Sequence, residues 1–401
     1  MNFSPEILAV EKELIDLRRR FHQHPELGNE EFRTAERVAG YLRECGLEVT
    51  TGVNGTGVVG VLRGAGTGPT LMLRADMDAL PIQEERDVPY RSRVDGRMHA
   101  CGHDGHMAVM LVAAKLLSRR RESLRGNVKL VFQPNEENGG ALPMIEQGVL
   151  ENPKVDACLG IHLWSPLETG KIAADAGPVM GGMYYFEITV LGRGGHTATP
   201  QDSVDPILTA ADVVQTLQVM QTREFDVLTP LSIVFGKIEG GTAWNIIPDR
   251  VKISGTLRYL HEDTGGGREA LRDRFKRIVS DVCRTHRAEH DLSMVFGHPA
   301  LVNDADMIAL VRSTAREVLD RPEDIVSFVS MAGEDFAEFA DRVPSAFFFV
   351  GAGNEAKGTC FPHHHPRFDI DEDALKIGLE MDVRTVQAYL GAPSGGLPSP
   401  V

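Results

Sequence analysis

Cysteine is scarce in this chain: there are five, an odd number, spread from Cys45 to Cys360. A disulfide-stapled secreted domain is thereby excluded, and a reducing compartment fits. Long hydrophobic runs are also missing. No stretch approaches the ~18 consecutive apolar residues of a membrane span. Glu6, Glu11 and Lys12 interrupt the first segment, so no secretory leader is expected. Positive charge is in deficit: 42 Lys and Arg stand against 57 Asp and Glu, a formal net charge of -15. Such a surface disfavours nucleic acid and anionic membrane as partners. It does not exclude a small anionic substrate, because metal ions and a local arginine reverse the sign inside a cleft. The expectation is a cytoplasmic protein with no nucleic-acid and no membrane partner.

With 401 residues the chain exceeds one ordinary hydrophobic core, so two domains are expected. Ile7, Val10, Leu14, Leu17 and Phe21 recur at helical spacing, with Arg18, Arg19 and Arg20 near the C-terminal end, where cations suit the dipole. A second helix is expected from about Thr34 to Cys45, stopping at Gly46. Val58–Leu62, Leu71–Leu73, Val128–Phe132, Ala157–Ile161 and Phe347–Val350 read as short strands. Several are continuously apolar, the mark of strands covered on both faces. Helical patterns at His106–Leu117 and Met307–Leu319 complete an α/β class, a doubly wound, mostly parallel sheet.

Between about 182 and 297 the pattern changes. Strand Tyr184–Leu191, helix Ser203–Thr222, strands Leu231–Ile238 and Val251–Tyr259, helix Arg268–His286 and strand His290–Phe296 follow one another. That order, β-α-β-β-α-β, is the ferredoxin-like split βαβ. The expected division is a discontinuous catalytic domain, 1–181 and 298–390, with an inserted α+β domain at 182–297. The tail, 391–401, is rich in Gly, Pro and Ser and is expected to be disordered.

Four clusters carry chemistry. Met98-His99-Ala100-Cys101-Gly102-His103-Asp104-Gly105-His106 enters a helix from a loop, and Cys101 and His103 could face one ion. By itself the cluster fits a metal site and a buried thiol beside a capping loop equally. Gln133-Pro134-Asn135-Glu136-Glu137 follows a buried strand, where open α/β sheets place ligands. One carboxylate at such a corner can bind metal while its neighbour faces water. A lone Glu-Glu pair would more often be a solvated turn. His162 follows the strand Ala157–Ile161, and Cys360-Phe361-Pro362-His363-His364-His365-Pro366 follows the strand Phe347–Val350. Four such groups at or near strand ends point to a clustered metal site.

With these motifs the chain resembles the aminoacylase/carboxypeptidase superfamily of co-catalytic metallopeptidases, in its hippurate hydrolase and auxin-conjugate amidohydrolase branch. The resemblance spans about residues 11 to 390. It also rests on Arg19-Arg20, His24-Pro25-Glu26, Arg74-Ala75-Asp76-Met77-Asp78-Ala79-Leu80-Pro81, Gly194-Gly195-His196 with Pro200, Asn245-Ile246-Ile247-Pro248, Glu334-Asp335-Phe336 and Phe368-Asp369. It implies two divalent metal ions per subunit, with Cys101 bridging and His103, Glu137, His162 and His364 completing the two ligand sets. His364 is selected over His363 and His365 by the family's His-x-Pro pattern. Asp76 is left off that set, because His103 takes its place in this branch. Asp78 is expected behind the ligands, as an orienting carboxylate.

The resemblance implies hydrolysis of the amide bond of an N-acyl amino acid, N-acetyl or N-benzoyl, by metal-activated water. Glu136 would take the water's proton and pass it to the leaving amine. His196 would supply an oxyanion donor from the inserted lid/dimerisation domain of a neighbouring subunit, in a homodimer or higher oligomer. Asn245 and Arg258 would hold the substrate, Arg258 as a clamp on its carboxylate. For His24 and His106 the residues themselves provide no physical role. Zn, Mn, Co and Ni all suit such mixed ligation. Alternatives are a dipeptidase or carboxypeptidase on the same site, a metal-free cysteine hydrolase using Cys101 and His103, and a non-enzymatic metal-binding protein.

Overall fold

A computed structural model of the chain describes residues 1–261 and 267–391. The tail expected to be disordered lies outside the described residues except for Gly391, which ends the last helix. Part of the expected insertion, 262–266, lies outside them as well.

The chain divides into two units. The first comprises Met1–Gly177, Val302–Val329 and the chain from Asp335. Its eight-stranded sheet has four parallel strands at its centre, in the order Asn127–Gln133, Thr70–Asp76, Ala157–Glu168 and Ser345–Gly353. Gly57–Arg63 and Glu48–Val53 extend one side antiparallel, and Ile172–Ala173 and Ile325–Val326 finish the other. The class is therefore α/β with a large, mostly parallel sheet. Every residue of Thr70–Asp76 and of Ser345–Gly353 is buried, which explains the apolar runs Leu71–Leu73 and Ala346–Val350 within them.

Helices cover the sheet with the faces their periodicity implies. Pro5–His22 buries Ile7, Val10, Leu14, Leu17 and Phe21, each contributing about 1.5–3 kcal/mol on burial. His103–Arg119 is buried along almost its whole length and lies between the helices Pro5–His22 and Asp373–Gly391. None of the described helices is long and apolar enough to cross a membrane.

One strand end moves. His162 was expected just past a strand ending at Ile161, but the strand runs on to Glu168 and His162 pairs with Phe349. The parallel partner Ser345–Gly353 holds the backbone extended beyond the apolar run, so local hydrophobicity understated the strand's length.

The second unit comprises Pro178–Leu301 and Ser330–Glu334. Its larger sheet has four antiparallel strands, in the order Leu231–Gly240, Arg250–Tyr259, Gly182–Leu191 and Glu289–His298. Helices Pro206–Arg223 and Gly267–Thr285 pack on each other and on this sheet. Phe186, Ile188, Val190, Phe275 and Val279 are buried in its core.

Candidate metal centre and active site

All the candidate ligands belong to the first unit. Helix His103–Arg119 starts directly after Gly102, whose φ of 92° lies in the left-handed region that favours glycine. That turn carries the chain from Cys101 into His103. Strand Thr70–Asp76 leads to Asp78, strand Asn127–Gln133 leads to Glu136 and Glu137, and His162 stands within strand Ala157–Glu168. His364 sits at φ 64° with its N–H donated to Ala100 O at 2.8 Å, which joins its loop to the Cys101 segment.

Three ligand groups overlap, each with its donor atoms within 4.8 Å of one another: Cys101, His103 and His162; Cys101, Glu137 and His364; His103, Glu136 and Glu137. Cys101 belongs to two of them, so one thiol stands between two potential ligand sets. Its Sγ lies 3.7 Å from His162 Nε2. His364 Nε2 lies 3.1 Å from Glu137 Oε1, though without hydrogen-bond geometry, so that buried oxygen has no hydrogen-bond donor. His103 Nδ1 donates to Asp78 O at 2.8 Å, which aims Nε2 inward. That Nε2 is buried and makes no hydrogen bond. Orphaned buried polar atoms are costly, and a divalent cation among thiol, imidazole and carboxylate groups is a fitting partner.

Electrostatics point the same way. Burial works against a charged His103, but Asp76 and Asp78 outweigh it and push its pKa up to about 10. The surrounding carboxylates favour positive charge at this position, and a bound metal would displace the proton. His162 is held well below its ordinary value by burial, and by His106 and His363 beside it, as a neutral ligand requires. Its Nδ1 donates to Leu163 O at 3.1 Å, leaving Nε2 available.

Asp76, His103 and His106 form a further group of potential ligands. His106 Nδ1, however, donates to Asp76 Oδ1 at 2.7 Å, and His106 Nε2 accepts from the Leu163 N–H at 2.9 Å. Both ring nitrogens are engaged, and Asp76 Oδ2 accepts from Arg74 Nη1 at 2.7 Å. His106 is thus a buried strut between Asp76 and the strand carrying His162, a role its sequence position did not reveal. Arg74 also donates to Gln133 and Asp335, and Gln133 donates to both Asp335 oxygens. Gln133 and Asp335 belong to motifs noted in the sequence, but only the fold shows that they touch.

Among the three consecutive histidines, the residues differ in what they touch. His363 Nε2 donates to Leu163 O at 3.2 Å, and the ring stacks on Trp164 at 4.2 Å. His365 Nδ1 accepts from the Arg367 N–H, and its ring stacks on Phe361. His364 faces Glu137 and Cys101. His24 Nδ1 donates to Arg20 O, and Glu26 accepts from the Arg33 and Thr34 N–H groups at the start of helix Phe32–Glu44. The His24-Pro25-Glu26 motif therefore joins two helices.

His196, Asn245 and Arg258 belong to the second unit. Gly195–His196 pairs with Ile246–Ile247, and Thr197 N–H donates to Asn245 O at 3.5 Å, so His196 and Asn245 share one short ribbon. His196 is exposed, and its Nδ1 accepts from the Ala198 N–H at 2.9 Å. Arg258 lies in a different strand, with Nη1 donating to Met331 O at 3.4 Å.

Residues 72–388 match the model for peptidase family M20/M25/M40. The chain belongs to this family. Thermostable carboxypeptidase 1 of Saccharolobus solfataricus is 38% identical over 379 residues, 93% of this chain and 94% of that protein. The N-acetyl-L-cysteine deacetylase of Bacillus subtilis is 37% identical over 368 residues, 92% and 86% of the two chains. A solved Bacillus subtilis structure described as a dinuclear metal binding peptidase from the M20 family has a TM-score of 0.82 at 31% identity, covering 94% of this chain and 98% of that one. The M20 chain described here is thus a hydrolase with relatives named both deacetylase and carboxypeptidase.

Proposed function

We propose that this M20 hydrolase is a metal-dependent amidohydrolase that releases an amino acid from its N-acyl derivative, N-acetyl or N-benzoyl. The observation that carries the reading is Glu136, whose Oε2 lies 4.0 Å from His103 Nε2 while sharing a ligand group with His103 and Glu137. A carboxylate at the rim of a ligand set suits a general base. Cys101, His103, Glu137, His162 and His364 would hold two divalent cations, drawn from Zn, Mn, Co or Ni. When bound, these supply the Lewis acidity that polarises the scissile carbonyl and activates water. Glu136 takes the water's proton and returns it to the leaving nitrogen. Asp78 orients His103 through its carbonyl and receives the Glu137 N–H at 3.1 Å.

His196 serves as oxyanion donor to the partner subunit of a homodimer formed through the second unit, the lid and dimerisation domain, with Asn245 and Arg258 binding the substrate. Trp244, next to Asn245, is 92% exposed and Ile246, the residue paired with His196, is 51% exposed, and apolar side chains so open to water are the kind that interfaces cover. The five free thiols support a cytoplasmic setting. The relative named a carboxypeptidase supports a second reading, cleavage of peptides on the same site. The test is a chelated chain reloaded with each metal and offered N-acetyl and N-benzoyl amino acids beside dipeptides and blocked peptides. Preference for the N-acyl amino acids is expected. Faster turnover of peptides would favour the carboxypeptidase reading, and full activity without metal would end both.

A further inference from the structure

Glu31 is fully buried and lies outside every ligand group described above. Its Oε2 accepts from Thr56 Oγ1 at 2.6 Å, and its Oε1 accepts from the backbone N–H of Asn135 at 3.0 Å. Asn135 directly precedes Glu136 and sits at φ 57° and ψ 41°, a left-handed conformation that is uncommon outside glycine. A residue held there needs surrounding structure to keep it in place. Glu31 provides it from one side. From another side Asn135 packs against Gly28, where a Cβ would stand 2.1 Å from Asn135 Oδ1. The next turn is pinned by Asp78, which accepts the Glu137 N–H. The Glu136–Glu137 corner is therefore tied down at both ends by carboxylates from distant parts of the chain, one tie leading to each glutamate.

We propose that Glu31 is a positioning residue for Glu136. Its carboxylate, by holding the Asn135 N–H, sets the left-handed residue from which the Glu136 side chain departs, while the Asp78 tie keeps Glu137 in the ligand set independently. This inference rests on the reading of Glu136 as the base. It accounts for the segment after His24-Pro25-Glu26 in terms of catalysis and not only of helix joining.

Steady-state kinetics, metal content and Tm of the metal-loaded full chain test it. Glu31→Met fills the space but offers the Asn135 N–H no acceptor. It should lower kcat by about 10- to 100-fold, the cost of a small misplacement at a reacting group, with KM and metal per chain unchanged. Glu31→Gln keeps an acceptor for Asn135, and the Thr56 hydroxyl can turn to accept from the new amide, so kcat should recover to near the parent's. If Glu31→Met fails to fold, Gly28→Ala presses on the same residue and should show the same split, a lower kcat with KM and metal retained. A folded Glu31→Met or Gly28→Ala chain with full kcat, beside an inactive Glu136→Gln chain, would overturn the positioning role alone. Loss of metal together with kcat in either would also overturn it, because Glu31 would then support the ligands. An active Glu136→Gln chain would instead overturn the base assignment beneath it.

Discussion

The two units hold their candidate residues in opposite ways. In the first, Cys101, His103 and His162 are buried, and the two imidazoles have one nitrogen fixed by a carbonyl, which leaves the other directed. In the second, His196 is exposed and its side chain accepts from the Ala198 N–H within its own turn, and Arg258 reaches one carbonyl at 3.4 Å. Metal ligands must be pre-set, because a cation tolerates little misplacement and a loose donor loses affinity. Groups that meet a substrate or a partner can stay solvated until that surface arrives. A change in the first unit should therefore act on metal and kcat, and a change in the second on KM or on assembly.

The sharpest test is within the buried unit. Chelation should abolish activity and added divalent metal restore it, and Glu136→Gln should keep its metal yet lose about 10²- to 10⁴-fold in kcat. Glu137→Gln and Cys101→Ser should lose metal as well. Equal metal and equal activity in the Glu136 and Glu137 variants would erase the distinction between base and ligand.

The exposed unit is tested by mixing. Chains carrying His196→Ala and chains carrying Glu136→Gln should each be nearly inactive. After subunit exchange, random pairing makes about half the dimers mixed, each with one intact site, so roughly a quarter of the parent activity should return. No recovery after verified exchange would place His196 in its own chain's chemistry or outside the chemistry altogether. A smaller effect is expected for Arg258→Ala: KM for N-acyl amino acids should rise about 10- to 100-fold, the scale of a lost charge-assisted hydrogen bond. Substrates with an amidated carboxylate should be affected less. Equal losses on both would remove Arg258 as the carboxylate clamp.

A separate effect, on stability and not on turnover, lies behind the ligands. His22 Nδ1 lies 2.8 Å from Asp104 Oδ2, which also accepts from the buried Arg18 at 2.8 Å. Burial and Arg18 oppose charge on His22, but Asp104 and Glu84 outweigh them and push its pKa from 6.5 to about 9. The folded value exceeds the unfolded one. The contribution is therefore complete below about pH 6.5 and fades as the pH rises through about 9, amounting to about 3 kcal/mol. Urea unfolding at pH 6 and at pH 9.5 should show the parent losing this margin over His22→Gln. Parallel pH dependences in the two proteins would show that His22 is not held protonated.

The legible part of the fold was the periodic part. Ile7, Val10, Leu14, Leu17 and Phe21 named the buried face of the first helix, and continuous apolar runs named the central strands. The site was legible where residue types cluster in sequence, as around Cys101 and at Glu136-Glu137. His106 and Asp76 were not legible as a strut, because their partner is the Leu163 backbone in another strand. Glu31 was missed because a pair such as Glu30-Glu31, away from any strand end, reads as a solvated turn, and its partners lie 25 and 104 residues away.

Taken alone, then, the amino-acid order determined the first helix's buried face, the central strands, the class of the sheet and the chemistry of the candidate ligands. These follow from local spacing and from side-chain type. Only the tertiary structure decided how closely Cys101, Glu137 and His364 approach one another, and that Asp78 and Glu31 hold the two glutamates from either side. Such relations depend on parallel strands far apart in sequence ending side by side, and hydrogen bonds across that distance leave no periodic trace in the chain.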